Sequence, residues 1–134
     1  MLVAYDMALL VVVAFREARG DGRDAMRAVG HVIANRVAAN KSSWVTEICK
    51  PKQFSSMTIC GDSQTIVWPS EKDTVNLYAL MHSVYDGTDP DNTNGALFYA
   101  NLETATSGWF FENIVQRPDV HPKTASIGKQ TFFK

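Results

Sequence analysis

Clustered positive charge, long apolar runs and cysteine are all scarce in this chain. Thirteen Lys and Arg stand against fourteen Asp and Glu, for a formal net charge of -1, and no run of Lys or Arg occurs. A nucleic-acid binder carries a basic patch or stripe, so no nucleic-acid partner is expected. The apolar run from Met7 to Phe15 is far shorter than the roughly 20 residues of a membrane span, which excludes one there. It does not read as a signal peptide either. No cationic segment precedes it, Asp6 stands where Lys or Arg belongs, and Arg16 and Glu17 follow directly. His31, His82 and His121 are scattered with no His-x-x-x-His spacing, and no second cysteine pair accompanies Cys49 and Cys60. Neither a metal site nor a cofactor is therefore expected. Two cysteines are too few for a disulfide scaffold. They flank one short loop, where a disulfide and two reduced, buried thiols both fit. A thiol peptidase pair of Cys60 with a histidine lacks any local nucleophile signature.

With 134 residues, 46% of them hydrophobic, the chain fits one domain over 1–134 with a core of its own. A first helix is expected from Tyr5 or Asp6 to Arg19, with Asp6 as N-cap and Gly20 as stop. Met7, Leu10, Ala14 and Glu17 fall at i, i+3, i+7 and i+10 and share one face. The Asp21-Gly22 turn opens a second helix over 22–40, with Ala25, Val29, Val32 and Arg36 as its core stripe, flanked by Ala28 and Ile33. From Lys41 to Pro69 no sustained period appears, which predicts a long irregular loop, a feature often functional. Ser70 with Asp73 resembles a capping box. It starts a third helix with Leu77, Leu80, Met81 and Val84 inward, ended by Gly87. The Asp, Asn, Gly and Pro of 86–95 mark turns. Two β-like segments, 96–100 and 130–133, are predicted to pair antiparallel, with a helical turn over 109–114 between them.

Glu17 is the residue from which chemistry is most readily argued. It continues an apolar stripe, so its carboxyl turns toward the core side. It also sits near a helix C-terminus, where the macrodipole disfavours negative charge. Both effects favour the protonated form, the condition a general acid needs near neutral pH. Arg16 and Arg19 act the other way, and an ion pair with either is the structural alternative.

Several segments then fall in a recognisable order. Glu17-Ala18-Arg19-Gly20 is followed by Ala28-Val29 and Asn35-Arg36-Val37. Gln53-Phe54-Ser55, Gly95-Ala96 with Tyr99 and Asn101, and Ile127-Gly128 closing on Phe132-Phe133 complete the series. Over roughly residues 8–133 this set resembles the spore-cortex-lytic cell-wall hydrolases of the SleB/CwlJ type. Gln130 departs from the family's frequent His, and Leu97-Phe98 from its Thr-containing step.

The resemblance implies an α+β, lysozyme-like domain, mainly helical with a small antiparallel sheet. It implies a lytic transglycosylase in which Glu17 is the catalytic acid and base at the bond between N-acetylmuramic acid and N-acetylglucosamine, leaving 1,6-anhydromuramic ends. Gln53, Ser55, Tyr99 and Asn101 then bind substrate; otherwise Ser55 and Asn101 satisfy turns and Tyr99 packs. Asp21, Asp24 and Glu47 are candidate second carboxylates, read more simply as caps or solvated charges. Trp44, Trp68 and Trp109 suit sugar faces but are expected in the core. The partner is the glycan strand of peptidoglycan, met by a monomer at the bacterial cell wall. One catalytic domain without binding repeats or a leader fits a bacteriophage endolysin held in the host cytoplasm until a holin releases it. A hydrolytic muramidase, and a non-catalytic glycan-binding or virion-structural domain, are the other readings.

Overall fold

A three-helix core carries a small sheet at one edge. The computed structural model describes residues 2–51 and 53–134. Helix α1 runs over Leu2–Ala18, so it begins earlier than the sequence predicts. Asp6 is not its cap: it lies inside the helix, buried, and accepts a hydrogen bond from the Tyr85 hydroxyl at 3.1 Å. Burial, reinforced by Asp6, pushes the Tyr85 phenol above its ordinary range and keeps it a donor. Met7, Leu10, Val11, Val13 and Ala14 are all buried, which makes α1 the central helix. A stretch with Val11, Val12 and Val13 has modest helix propensity, so packing rather than local preference holds it. Gly20 does not stop the helix by a left-handed turn. The chain passes through a 3-10 turn over Arg19–Asp21, and Gly22 (φ 90) redirects it into α2.

Helix α2, Arg23–Asn40, buries the predicted stripe Ala25, Ala28, Val29, Val32, Ile33 and Arg36. A Cβ on Gly30 would sit 3.0 Å from the Met81 sulfur, so this glycine lets α2 approach the last long helix. Between 41 and 69 the expected irregular loop holds three short helical pieces. These are α3 (Trp44–Cys49), α4 (Ser55–Thr58) and a 3-10 turn over Ser63–Ile66. Each is too brief to show a hydrophobic period. Helix α5, Glu71–Tyr85, starts as predicted, with the Ser70 hydroxyl accepting from the Asp73 amide and donating to its carboxylate. It buries Leu77, Leu80, Met81 and Val84, and Gly87 (φ 81) follows its end.

The sheet has strand order β1-β3-β2, with β1 Phe98–Ala100, β2 Lys123–Ile127 and β3 Gln130–Phe133. The predicted antiparallel pairing of β1 with β3 is present, pairing Tyr99 with Phe132. Strand β2 was not expected; Lys-Thr-Ala-Ser-Ile offers little alternation, and a bulge interrupts its pairing. Side-chain alternation turns Tyr99 and Phe132 together toward α2, where Phe132 joins Ala28, Val32 and Ala96. Phe98 and Phe133 take the other face, against Phe110. The 109–114 turn is helical, widening to i→i+5 spacing over Phe111–Val115.

Polar residues of α2 fasten the 86–95 turn. Asp89 accepts from Arg27 and from the buried His31, and Asn35 donates to Asp91 and to the Ala96 carbonyl. Cys49 and Cys60 are neither bridged nor buried; both are free and exposed. Trp44 packs on Tyr85 at 4.9 Å. Trp68 and Trp109 are 68% and 70% exposed, so the expected core role fails for both.

Burial alone would raise the Asp89 carboxyl, but the bonds from Arg27 and His31 outweigh it and hold it below its ordinary value. Its contribution is therefore complete above the unfolded value of about 3.9 and is lost as pH falls below it. Asp89→Asn is expected to melt below the wild type near neutral pH, with the gap closing toward pH 2–3, as thermal scans across that range will show. A gap independent of pH would refute this role.

Candidate active site

Glu17 occupies the last turn of α1, and its neighbour Arg16 decides what surrounds it. The Arg16 side chain is buried and turned into the segment after α3. Nε donates to the Val67 carbonyl at 2.8 Å, Nη1 to the Ser56 carbonyl at 2.9 Å and Nη2 to the Thr65 carbonyl at 2.9 Å. The guanidinium also lies 4.7 Å from the Trp68 ring centre, a cation–π contact. One side chain thus ties three points of an irregular segment to the helix that carries Glu17. Arg19 donates to the Arg16 carbonyl and covers Phe15. Among the described residues Glu17 makes no ion pair, so the salt-bridge alternative is not what the structure shows.

Instead, two hydroxyls hold the carboxyl. Ser56 Oγ donates to Oε2 at 2.8 Å, and Tyr99 Oη donates to Oε1 at 2.6 Å. Ser56 is buried at the start of α4, where Arg16 grips its carbonyl while its hydroxyl grips Glu17. Tyr99 arrives from β1, packed on Phe132 with the rings tilted and their centres 5.7 Å apart. Burial, then the adjacent Glu17 charge and hydrogen bond, push the Tyr99 phenol well above its ordinary range, with Arg36 opposing. It remains a donor at any working pH.

The other sequence candidates are placed apart from the carboxyl. Ser55 is exposed, turned away from Glu17 and beside Asp62, whose carboxyl is held below its ordinary range chiefly by the Gln64 amide. Its neighbour Ser56, which the Gln-Phe-Ser triplet does not include, is the one that reaches Glu17. Asn101 serves its own turn: Oδ1 accepts from the Glu103 amide and its carbonyl from Ala105. Gln53 is exposed and lines a cavity with Arg36 and Phe98. Glu47 is neither a cap nor a solvated charge: it is buried and accepts from Ser42 and Asn40. Asp24 is exposed, and Asp21 packs on Gly128. Among the described residues no group of three His, Cys, Asp or Glu is disposed to hold a metal ion. Nor is any helix there long and apolar enough to cross a membrane.

Comparison with known proteins adds context to this geometry. The family described as Cell Wall Hydrolase matches residues 20–133, so its matched region begins just after Glu17. The spore cortex-lytic enzyme of Oceanobacillus iheyensis is 30% identical over 131 residues, covering 96% of this chain and 41% of the relative. That of Bacillus cereus is 32% identical over 133 residues, covering 96% and 44%. The chain thus spans less than half the length of these relatives. Among solved structures, the catalytic domain of the germination-specific lytic transglycosylase SleB from Bacillus anthracis superposes with a TM-score of 0.71 at 27% identity. That match covers 96% of this chain and 93% of the other. The catalytic domain of Bacillus cereus SleB gives 0.68 at 27% identity, covering 96% and 89%. The fold is therefore that of the SleB catalytic domain, lysozyme-like.

Removing Arg16 leaves three loop carbonyls without their donor. Arg16→Ala is expected to cost about 2–4 kcal/mol in urea unfolding and to speed proteolytic nicking between 55 and 68. An unchanged midpoint and nicking rate would show that the segment is held otherwise.

Proposed function

The chain belongs to the cell wall hydrolase family, and on that premise we propose that it is a peptidoglycan lytic transglycosylase. It cleaves the β-1,4 bond from N-acetylmuramic acid to N-acetylglucosamine, with Glu17 as its acid and base. The observation that carries this reading is the Glu17 carboxyl held between the hydroxyls of Ser56 and Tyr99. A single, firmly aimed carboxyl suits a reaction in which the substrate supplies its own nucleophile. Protonated Glu17 gives its proton to the glycosidic oxygen as the C1–O4 bond breaks. The muramic C6 hydroxyl then attacks C1, forming the C1–O6 bond and returning its proton to Glu17. The carboxyl is restored and no water is consumed.

The two hydroxyls have separate tasks. A serine hydroxyl donates or accepts, so Ser56 can donate to the carboxylate and turn to accept from the acid. Tyr99 stays a donor and fixes the orientation of the other oxygen. Asp21, Asp24 and Glu47 share no hydrogen-bond partner with Glu17, whereas a muramidase of the usual kind needs a second carboxylate as nucleophile or base. The same geometry argues against a non-catalytic binding domain, which has no use for an oriented carboxyl. The enzyme acts on glycan strands in the bacterial wall. The relatives named above are spore enzymes, so the bacteriophage endolysin role gains no support from them.

Glu17→Gln is expected to lower the rate of turbidity loss of purified peptidoglycan by about 10³-fold, with a melting temperature close to wild type. Tyr99→Phe is expected to lower kcat roughly 10–100-fold with little change in KM. Equal lysis by wild type and Glu17→Gln would overturn the reading.

A further inference from the structure

The outer side of α1 is apolar and uncovered. From Leu2 to Phe15 its only charged residue is Asp6, and that one is buried. A helix apolar on every side belongs inside a fold or an assembly, yet Ala4, Tyr5 and Ala8 are exposed. Ala8 and Glu17 stand about two and a half turns apart, so this side looks directly away from the Glu17 carboxyl. Helix α5 packs against α1 and leaves a hollow on either flank. One, of about 290 Å³, is floored by Ala4, Ala8, Val11 and Val12 and edged by Trp68 and Tyr78. The other, of about 430 Å³, is floored by Phe15, Met26 and Leu77. Around them Tyr5 is 61% exposed, Val75 65% and Tyr78 47%, besides Trp68. At about 150–250 Å² per aromatic side chain, the three aromatics alone leave roughly 250–450 Å² uncovered. Single exposed apolar residues are ordinary, whereas a patch of this extent marks an interaction surface.

The charges on this face are divided between its sides and left unused. Arg19 and Arg23, from the junction of α1 with α2, wall the larger hollow on one side, and Asp73 of α5 walls it on the other. Among the described residues neither arginine makes an ion pair, and the Asp73 carboxylate takes only the Ser70 hydroxyl. A lipid surface would call for an excess of positive charge, and a basic or acidic peptide for a single sign. Glu71 and Lys72 instead add one charge of each sign at the edge. A second copy of the chain matches such a face. A two-fold axis running along the hollow turns the arginine wall of one copy onto the Asp73 wall of the other, twice over, and sets exposed apolar residues over the partner's hollows. We propose that two copies of the chain associate through this face about such an axis, in place of the monomer expected from the sequence. The aromatics supply roughly a third to a half of the 800 Å² that each partner contributes to a standard interface, and Val75, the hollow floors and the charged rim extend it. Both Glu17 sites then face outward. Trp68, which lies over Arg16, becomes covered, so association also shields the contact that fastens the 55–68 segment.

Sedimentation velocity of the full chain over a rising concentration series tests this. The mass is expected to climb from 14.9 kDa toward twice that value, with a Kd of about 1–100 µM that weakens as salt is added. Val75→Arg, at an exposed position of α5, should weaken association at least about tenfold while the dilute protein melts as the wild type does. Arg23→Asp and Asp73→Lys should each weaken it to a similar degree, because each sets like charges against one another across the axis. Mixing these two variants in equal amounts should restore association, since opposite charges then meet at both walls. A fold damaged by either substitution could not be rescued in that way. A wild type that keeps the mass of one chain throughout would overturn the proposal. So would association indifferent to Val75→Arg, or a mixture that associates no more tightly than its components. A single chain that instead co-sediments with vesicles of phosphatidylcholine and phosphatidylglycerol would also overturn it, and would give the face to a lipid surface.

Discussion

The buried guanidinium of Arg16 is the contact on which the functional geometry depends. Burying an arginine is costly unless its donors are met, and here the acceptors are carbonyls from Ser56, Thr65 and Val67. The segment after α3 sends Phe54 into the core but leaves Ile59, Ile66 and Trp68 exposed. Arg16 gives it a fixed place against α1. Because Glu17 is the next residue, whatever Arg16 fastens is set at a constant position relative to the carboxyl. The Ser56 hydroxyl reaches Oε2 as a direct consequence. The second anchor, Tyr99, comes from β1, which Asn35 and Arg36 of α2 secure through the carbonyls of Ala96 and Leu97. Arg16 on α1, and the adjacent Asn35 and Arg36 on α2, thus position the two partners of one carboxyl.

The helical core was legible because its signals repeat. Seventeen and eighteen residues of α1 and α2 leave room for several turns of the apolar stripe, and Ser70 marks the start of α5 without ambiguity. Where the reading failed, the deciding forces were not local. Asp6 looks like a cap in sequence, yet a tyrosine 79 residues away gives it a buried partner. Helices α3 and α4, at six and four residues, cannot display a period. Strand β2 depends on β3 for its pairing, and its own composition carries little β signal.

At the site, the apolar face singles out Glu17, and the ion pair weighed against it does not form: its carboxyl is held by two hydroxyls instead. Arg16 follows a rule of helix geometry: one residue along, its side chain points about 100° away, into the loop rather than toward Glu17. Family-like order singles out Tyr99 as a substrate contact, whereas the structure sets its hydroxyl on Glu17; strand alternation explains why it and not Phe98 faces inward. Ser55 and Ser56 are adjacent serines with equal claim by type. Only the turn of α4 decides that Ser56 is buried against the carboxyl, and no pattern in the sequence encodes that turn. Asn35 and Arg36, noted as part of a family-like segment, hold the 86–95 turn and β1 in place.

The central claim is that one carboxyl suffices because the substrate's own C6 hydroxyl closes the reaction. Digestion of purified peptidoglycan in water enriched in heavy oxygen, followed by mass spectrometry of the released muropeptides, tests it most directly. The account predicts muramic ends one water lighter than the reducing sugar and free of the heavy isotope. Reducing muramic ends carrying heavy oxygen at C1 would contradict it and make the enzyme a hydrolase.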